Sequence, residues 1–287
     1  MNHSSQIVIQ GGWLTRQLID SVAALAGAGT CEPCGDRVVR LRDLAAWPNP
    51  ARVARITALC AAARADVAFV ANPRRLDTYK LAVMDMDSTL ITIECIDEIA
   101  DLQGLKPAVS AITAAAMRGE LDYPESLRRR VALLRGLGVE ALEQVYTERL
   151  RLSPGVELML GRFAAAGLAT LLVSGGFTFF TERLRRRLGL DDARANTLGI
   201  ENGKLTGQVI GDIVDAAAKS RELLAACARL GADPADAIAI GDGANDLAMM
   251  AVAGISIAYR AKPVVRAQAT HAISYNGLEA VPPLFGG

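Results

Sequence analysis

The 287-residue chain balances 31 basic against 31 acidic residues, and about half of it (51%) is apolar. A net charge near zero argues against a dedicated nucleic-acid binder, which carries a basic excess, and no apolar run reaches the roughly 18 residues that span a membrane. With His3 and His271 as its only histidines, the chain must do any acid–base chemistry with carboxylates, lysine or water.

The N-terminus, MNHSSQIVIQGG, lacks a basic segment leading into a long apolar stretch, so a cytoplasmic protein is expected. Residues 6–11, 37–43 and 66–71 read as short strands, with alanine-rich helices at 14–27 and 50–64 between them. Together they predict a small α+β domain over residues 1–76. It ends in the linker-like NPRRLDTYK, where proline and charge interrupt the pattern. Cys31 and Cys34 form a lone CxxC in TCEPCGD. A zinc half-site or a redox pair would each fit the spacing, but no second CxxC accompanies it. Two thiols in a loop are the simpler expectation.

Over residues 77–287 the pattern lengthens to strand–helix–strand. Strands are expected at 80–86, 168–175, 236–242 and 254–259, and helices at 155–166, 177–188, 215–230 and 244–252. These strands are continuously apolar, as parallel strands covered on both faces should be. The order predicts a doubly wound parallel α/β sheet. Roughly eighty residues separate its first two strands, far more than one crossover helix requires. The excess, about 95–150, reads as an inserted helical cap. Asn202-Gly203 in LGIENGKLTGQV marks a hairpin, and the tail NGLEAVPPLFGG is expected to fray.

Three strand ends carry the chemistry, because ligands of open α/β sheets collect at the carboxyl ends of strands. LAVMDMDSTLI ends the first strand with Asp85 and Asp87, LLVSGGF the second with Ser174 and Gly175, and IAIGDGANDLAMM a third with Asp242, Asn245 and Asp246. Lys219 stands in the preceding helix. Taken singly, an Asp before Ser-Thr is a helix cap, SGG and GDG are turns, and Lys219 is a solvated helix residue. Taken together, converging carboxylates repel one another unless a cation sits among them, and hard oxygen ligands suit Mg²⁺.

This combination resembles the haloacid dehalogenase superfamily of phosphotransferases. DxDx[TS] is matched by Asp85–Thr89, the strand-end hydroxyl by Ser174, the lysine by Lys219 and GDxxxD by Gly241 to Asp246. DMDSTLITIECIDEIAD, MRGELDYPESLRRRV, VSGGF and IGDGANDLAMM narrow the resemblance to the phosphoserine phosphatase family. It extends over about residues 80–275.

The resemblance implies Mg²⁺-dependent hydrolysis of L-phosphoserine, the last step of serine biosynthesis, with Asp85 as nucleophile and Asp87 as acid and base. It also implies Mg²⁺ on Asp85, the backbone carbonyl of Asp87 and Asp242, with Asp246 acting through water. Lys219, Ser174 and the N–H of Gly175 would hold the phosphoryl oxygens, with Asn245 among the substrate-binding residues. Glu94 would meet its ammonium and Arg130 its carboxylate, with Met117 and Tyr123 lining the pocket. From the residues alone, Arg128, Arg129 and Arg130 read equally as a solvated helix face. Met86 stands where many relatives have Phe, a tolerable apolar exchange.

Other readings are a related capped phosphatase or phosphotransferase with another small phosphomonoester, or a serine-sensing binding protein. The last rests on residues 1–76, which resemble amino-acid-binding modules but carry no ligand signature. A packing or dimerising module, with a homodimer as the assembly, is the alternative role.

Overall fold

The computed structural model describes residues 5–286, so His3 lies outside the described part. Its first unit comprises β1 (Gln6–Gln10), α1 (Arg16–Ala26), β2 (Ala28–Pro33), β3 (Val38–Leu44), α2 (Pro50–Ala62) and β4 (Asp66–Val70). The strands form an antiparallel sheet in the order β2-β3-β1-β4. Both helices begin where the sequence supplies a cap: Thr15 accepts the Leu18 N–H, and Asn49 accepts the Arg52 N–H.

Strand β1 is buried along its whole length. Ile7 and Ile9 pack with Leu18, Val22, Leu41 and Ile56 under the helices. On the opposite face Val8, with Ala68 and Val70, joins the main core of the molecule.

Strand β2 corrects the expectation of a loop around the cysteines. Cys31 is exposed on this edge strand, opposite Leu41, and Cys34 follows it half-buried; both thiols are free. The strand's outer positions are polar, and its partner β3 supplies the pairing that local alternation does not announce.

The second sheet contains β5 (Leu81–Met84), β6 (Ala169–Phe177), β7 (Asp192–Glu201), β8 (Lys204–Ile210), β9 (Ala237–Gly241), β10 (Ile255–Tyr259) and β11 (His271–Ile273). Its order is β11-β10-β9-β5-β6-β7-β8, parallel except for the last hairpin. Asn202 and Gly203 turn that hairpin with φ of 50° and 74°, the paired positive values a two-residue turn demands.

Between β5 and β6 lie the cap helices α3 (Cys95–Leu102), α4 (Lys106–Met117), α5 (Tyr123–Ala132) and α6 (Glu140–Gln144), then the crossover helix α7 (Val156–Ala165). The cap is tied to the β7–β8 hairpin, where Val139 N–H donates to Gly203 O at 2.9 Å and Leu205 N–H to Leu137 O at 2.7 Å. Helices α8 (Thr178–Leu188), α9 (Ala216–Leu230), α10 (Leu247–Val252) and α11 (Pro263–Arg266) complete the winding.

The tail does not fray. Leu278, Val281, Leu284 and Phe285 are buried, and Phe285 stacks edge-on against Tyr79. Arg40 donates to the carbonyls of Pro283 and Phe285, so apolar burial and a cation from β3 hold a segment whose prolines and glycines suggested freedom. No helix among the described residues is long and apolar enough to cross a membrane.

Candidate active site

The apolar run of β5 stops at Met84, and the next residues wind instead of extending. Ser88 takes a φ of 58°, a left-handed conformation uncommon for a residue with a side chain. Its hydroxyl donates to Glu94 Oε1 at 2.7 Å, fixing the acid that opens α3. The turn leaves Asp85, buried, and Asp87, half-buried, at the mouth of the sheet.

Beneath the mouth, Lys219 Nζ donates to Asp85 Oδ1 and to Asp246 Oδ1, each at 2.6 Å, with all three side chains almost wholly buried. This rules out the solvated-helix reading of Lys219. Burial opposes its charge, yet the two carboxylates push its pKa above the ordinary lysine range. Asp246 Oδ2 also accepts the backbone N–H groups of Asp242 and Gly243, so it cross-braces the β9–α10 turn. Thr89 donates to Asp242 Oδ1 at 2.9 Å.

Asp85, Asp242 and Asp246 offer carboxylate oxygens within 4.8 Å of one another. Three carboxylates therefore face one ammonium, and the surplus is visible in their chemistry. Burial, and then the charge of Asp246, raises Asp85 well above the usual carboxylate range despite Lys219, while burial lifts Asp242 to about 6. Such a set of hard oxygens with uncompensated charge fits a divalent cation. Asp87 is lifted to about 8 by burial and by the charge of Glu94, and its Oδ1 has no hydrogen-bond partner.

Above the carboxylates opens a cavity of about 600 Å³ between sheet and cap. Of the residues singled out in the sequence, Asp85, Asp87, Glu94, Met117, Tyr123, Arg130, Ser174, Gly175, Asp242 and Asn245 line it, while Lys219 and Asp246 lie beneath its floor. Met117 sits at its open side, 71% exposed. Arg130 is half-buried in the wall, whereas Arg128 and Arg129 are exposed and Arg129 pairs with Glu125. Glu94 and Arg130 both face the cavity, Glu94 Oε1 accepting from Ser88 and Arg130 Nε donating to Ser126 O at 3.4 Å.

Sequence reasoning assigned no role to Thr89, although it lies within the quoted motif, and none to the cavity-lining Lys262. It also passed over Asn196, a fully buried amide on β7. A polar side chain among strand residues was the signal available for Asn196; nothing local marks Lys262.

The chain is similar to known proteins. A profile of the haloacid dehalogenase-like hydrolases matches residues 79–254. A phosphoserine phosphatase of Polaromonas sp. (strain JS666) is 55% identical over 216 residues, covering 73% of this chain and 92% of its own. The chain belongs to the phosphoserine phosphatase family of haloacid dehalogenase-like hydrolases.

Members of the phosphoserine phosphatase family are also close in structure. A probable phosphoserine phosphatase from Vibrio cholerae superposes with a TM-score of 0.85 at 38% identity, covering 98% of this chain and 86% of that one. A phosphoserine phosphatase solved as a phospho-aspartyl intermediate analogue gives 0.68 at 38% identity, over 72% of this chain and 99% of its own.

Proposed function

We propose that the chain hydrolyses L-phosphoserine to L-serine and phosphate through an aspartyl-phosphate on Asp85. One observation carries this reading: a buried carboxylate braced by Lys219 stands beside Asp87, whose Oδ1 has no hydrogen-bond partner, under a cavity walled by Glu94 and Arg130.

Arg130 receives the substrate carboxylate, where a guanidinium can bind both oxygens, and Glu94 receives the ammonium. Ser174, Gly175, Lys219 and Asn245 hold the phosphate end. An oxygen of Asp85 attacks phosphorus and the bond from phosphorus to the serine oxygen breaks. Asp87, protonated near neutral pH because of its burial, gives that oxygen its proton. Water then attacks the aspartyl-phosphate as Asp87 takes one of its protons; phosphate leaves and Asp85 is regenerated. Asp85, Asp242 and the carbonyl of Asp87 would hold Mg²⁺, with Asp246 acting through water; when bound, the ion supplies positive charge against the repulsion between carboxylates and phosphoryl group.

On this reading residues 1–76 are a separate domain that serves chiefly as a packing module, because one face of its sheet is buried against the catalytic core. Residues 77–287 form the catalytic domain with its cap at about 95–150. The enzyme is cytoplasmic, serves serine biosynthesis and is free to dimerise.

The test is phosphate release from L-phosphoserine, phosphothreonine and an aryl phosphate, with Mg²⁺ and with chelator, by wild type and Asp85→Asn. Chelator-sensitive release selective for phosphoserine, falling by at least about 10³-fold in the variant, is expected for a lost nucleophile. A variant that still formed a phosphoenzyme would remove Asp85 from its role.

A further inference from the structure

Gly175 O accepts two side-chain hydrogen bonds, from a sheet strand and from the cap. One comes from Asn196 Nδ2 on β7, at 2.7 Å, and the other from Tyr123 OH on cap helix α5, at 2.9 Å. Asn196 is itself held by the Val214 N–H, which donates to its Oδ1 at 2.8 Å on the path to α9. We propose that Tyr123 is a positioning residue whose hydroxyl, reaching Gly175 O when the cap is closed, completes the setting of Ser174 for phosphate. This role rests on the phosphatase reading and adds a coupling between cap and phosphate site.

The peptide that joins Gly175 to Gly176 links these donors to Ser174. A trans peptide is planar, with its C=O and N–H on opposite sides, so fixing one direction fixes the other. Here the N–H of Gly176 donates to Ser174 Oγ at 2.9 Å. That bond uses one lone pair of the hydroxyl and leaves its O–H to be donated to an anion. Flanked by two glycines, this peptide has little steric resistance to rotation, so its donors must set it.

A Cβ on either glycine would crowd a side-chain end: one on Gly175 would lie 2.4 Å from Tyr123 OH, and one on Gly176 2.6 Å from the Met86 methyl carbon. Asn196 belongs to the sheet and holds the peptide at all times. Tyr123 belongs to the cap and holds it only while the cap is down. Closure therefore orients the phosphate-binding hydroxyl as well as excluding water.

The test compares wild type with Tyr123→Phe, which keeps the ring and removes the hydroxyl. Amide exchange at Gly176 in the free protein should quicken about tenfold, the scale of one net hydrogen bond. The kcat/KM values for L-phosphoserine and for an aryl phosphate should fall by a common factor of about ten, and inhibition by inorganic phosphate should weaken by the same factor.

Unchanged exchange at Gly176 overturns the proposal whatever the turnover. A loss confined to phosphoserine, with the aryl phosphate and inorganic phosphate unaffected, also overturns it, because Tyr123 would then merely line the amino-acid pocket. Faster exchange in the variant, in a wild type that releases no phosphate from phosphoserine, would uphold the latch and defeat the substrate reading instead.

Discussion

Lys219 is the residue on which the buried acids depend. Its ammonium lies 2.6 Å from each of two carboxylates that have almost no contact with water. Substituting Lys219→Met keeps much of the side-chain volume but leaves Asp85 and Asp246 facing each other with no cation from the chain. Removing one partner of a buried pair typically costs about 3–5 kcal/mol. Urea unfolding of the metal-free variant at neutral pH should show a loss of that size. Much of it should return at acid pH, where the carboxylates take up protons. A variant as stable as wild type would mean that water, not Lys219, compensates the acids. The motif residues Asp85, Ser174 and Asp242 were legible in the sequence because each sits at an apolar strand end, whereas Lys219, inside α9, stood out only in combination with them. What was illegible is that Asp246 braces Lys219 and a backbone turn at once, a contact across 27 residues of chain.

At the scale of elements, α5 shows how one helix sorts similar residues. Asp122 caps it by accepting the Glu125 N–H at 2.8 Å, and Pro124 suits its first turn. From that start, Tyr123, Leu127 and Arg130 recur at helical spacing and face the cavity, while Arg128 and Arg129 face water. The run SLRRRV left three arginines indistinguishable; the helix phase set by the cap selects one. Arg130→Ala should lower kcat/KM for L-phosphoserine by about 10–100-fold, the worth of hydrogen bonds between charged groups. An aryl phosphate, which has no carboxylate to offer, should be little affected. Equal losses for both substrates would show that Arg130 acts on the fold or the phosphate. The hairpin at Asn202-Gly203 was readable for a different reason: its turn chemistry is local. The edge strand β2 was not, since its pairing depends on β3.

Over the whole molecule, the surplus of buried acid links stability to pH and metal. Asp242 and Asp87 have folded pKa values of about 6 and about 8, raised chiefly by burial above their unfolded values. A raised carboxylate pKa means the folded state binds the extra proton, so that stability is complete at low pH and is lost as pH rises through the folded value. The acids therefore weaken the metal-free protein progressively from about pH 4 to about pH 8. A divalent cation competes with those protons and binds best where they have left. The rise in Tm produced by saturating Mg²⁺ should grow steadily from pH 5 to pH 8 in thermal unfolding. A pH-independent rise would place the cation away from these carboxylates. Buried His271, lowered to about 4 by desolvation, has the opposite sign. Its contribution is present above pH 6.5 and is lost as pH falls toward 4, which is why the comparison is made with and without metal.

The sequence alone determined the doubly wound sheet, the inserted cap and the strand-end acids. Continuous apolar runs can be satisfied only by burial on both faces, and acids at two of their ends, with a hydroxyl and two glycines at a third, have no bland structural use in combination. Tertiary structure decided the rest. Phe285 is fixed by Tyr79 and Arg40 by two tail carbonyls, contacts across more than two hundred residues that turn an expected loose end into core. Asn196 and Tyr123 meet on one carbonyl from a strand and a cap helix far apart in the chain. Such contacts depend on where separate elements come to rest against one another, and no periodicity or local propensity encodes that.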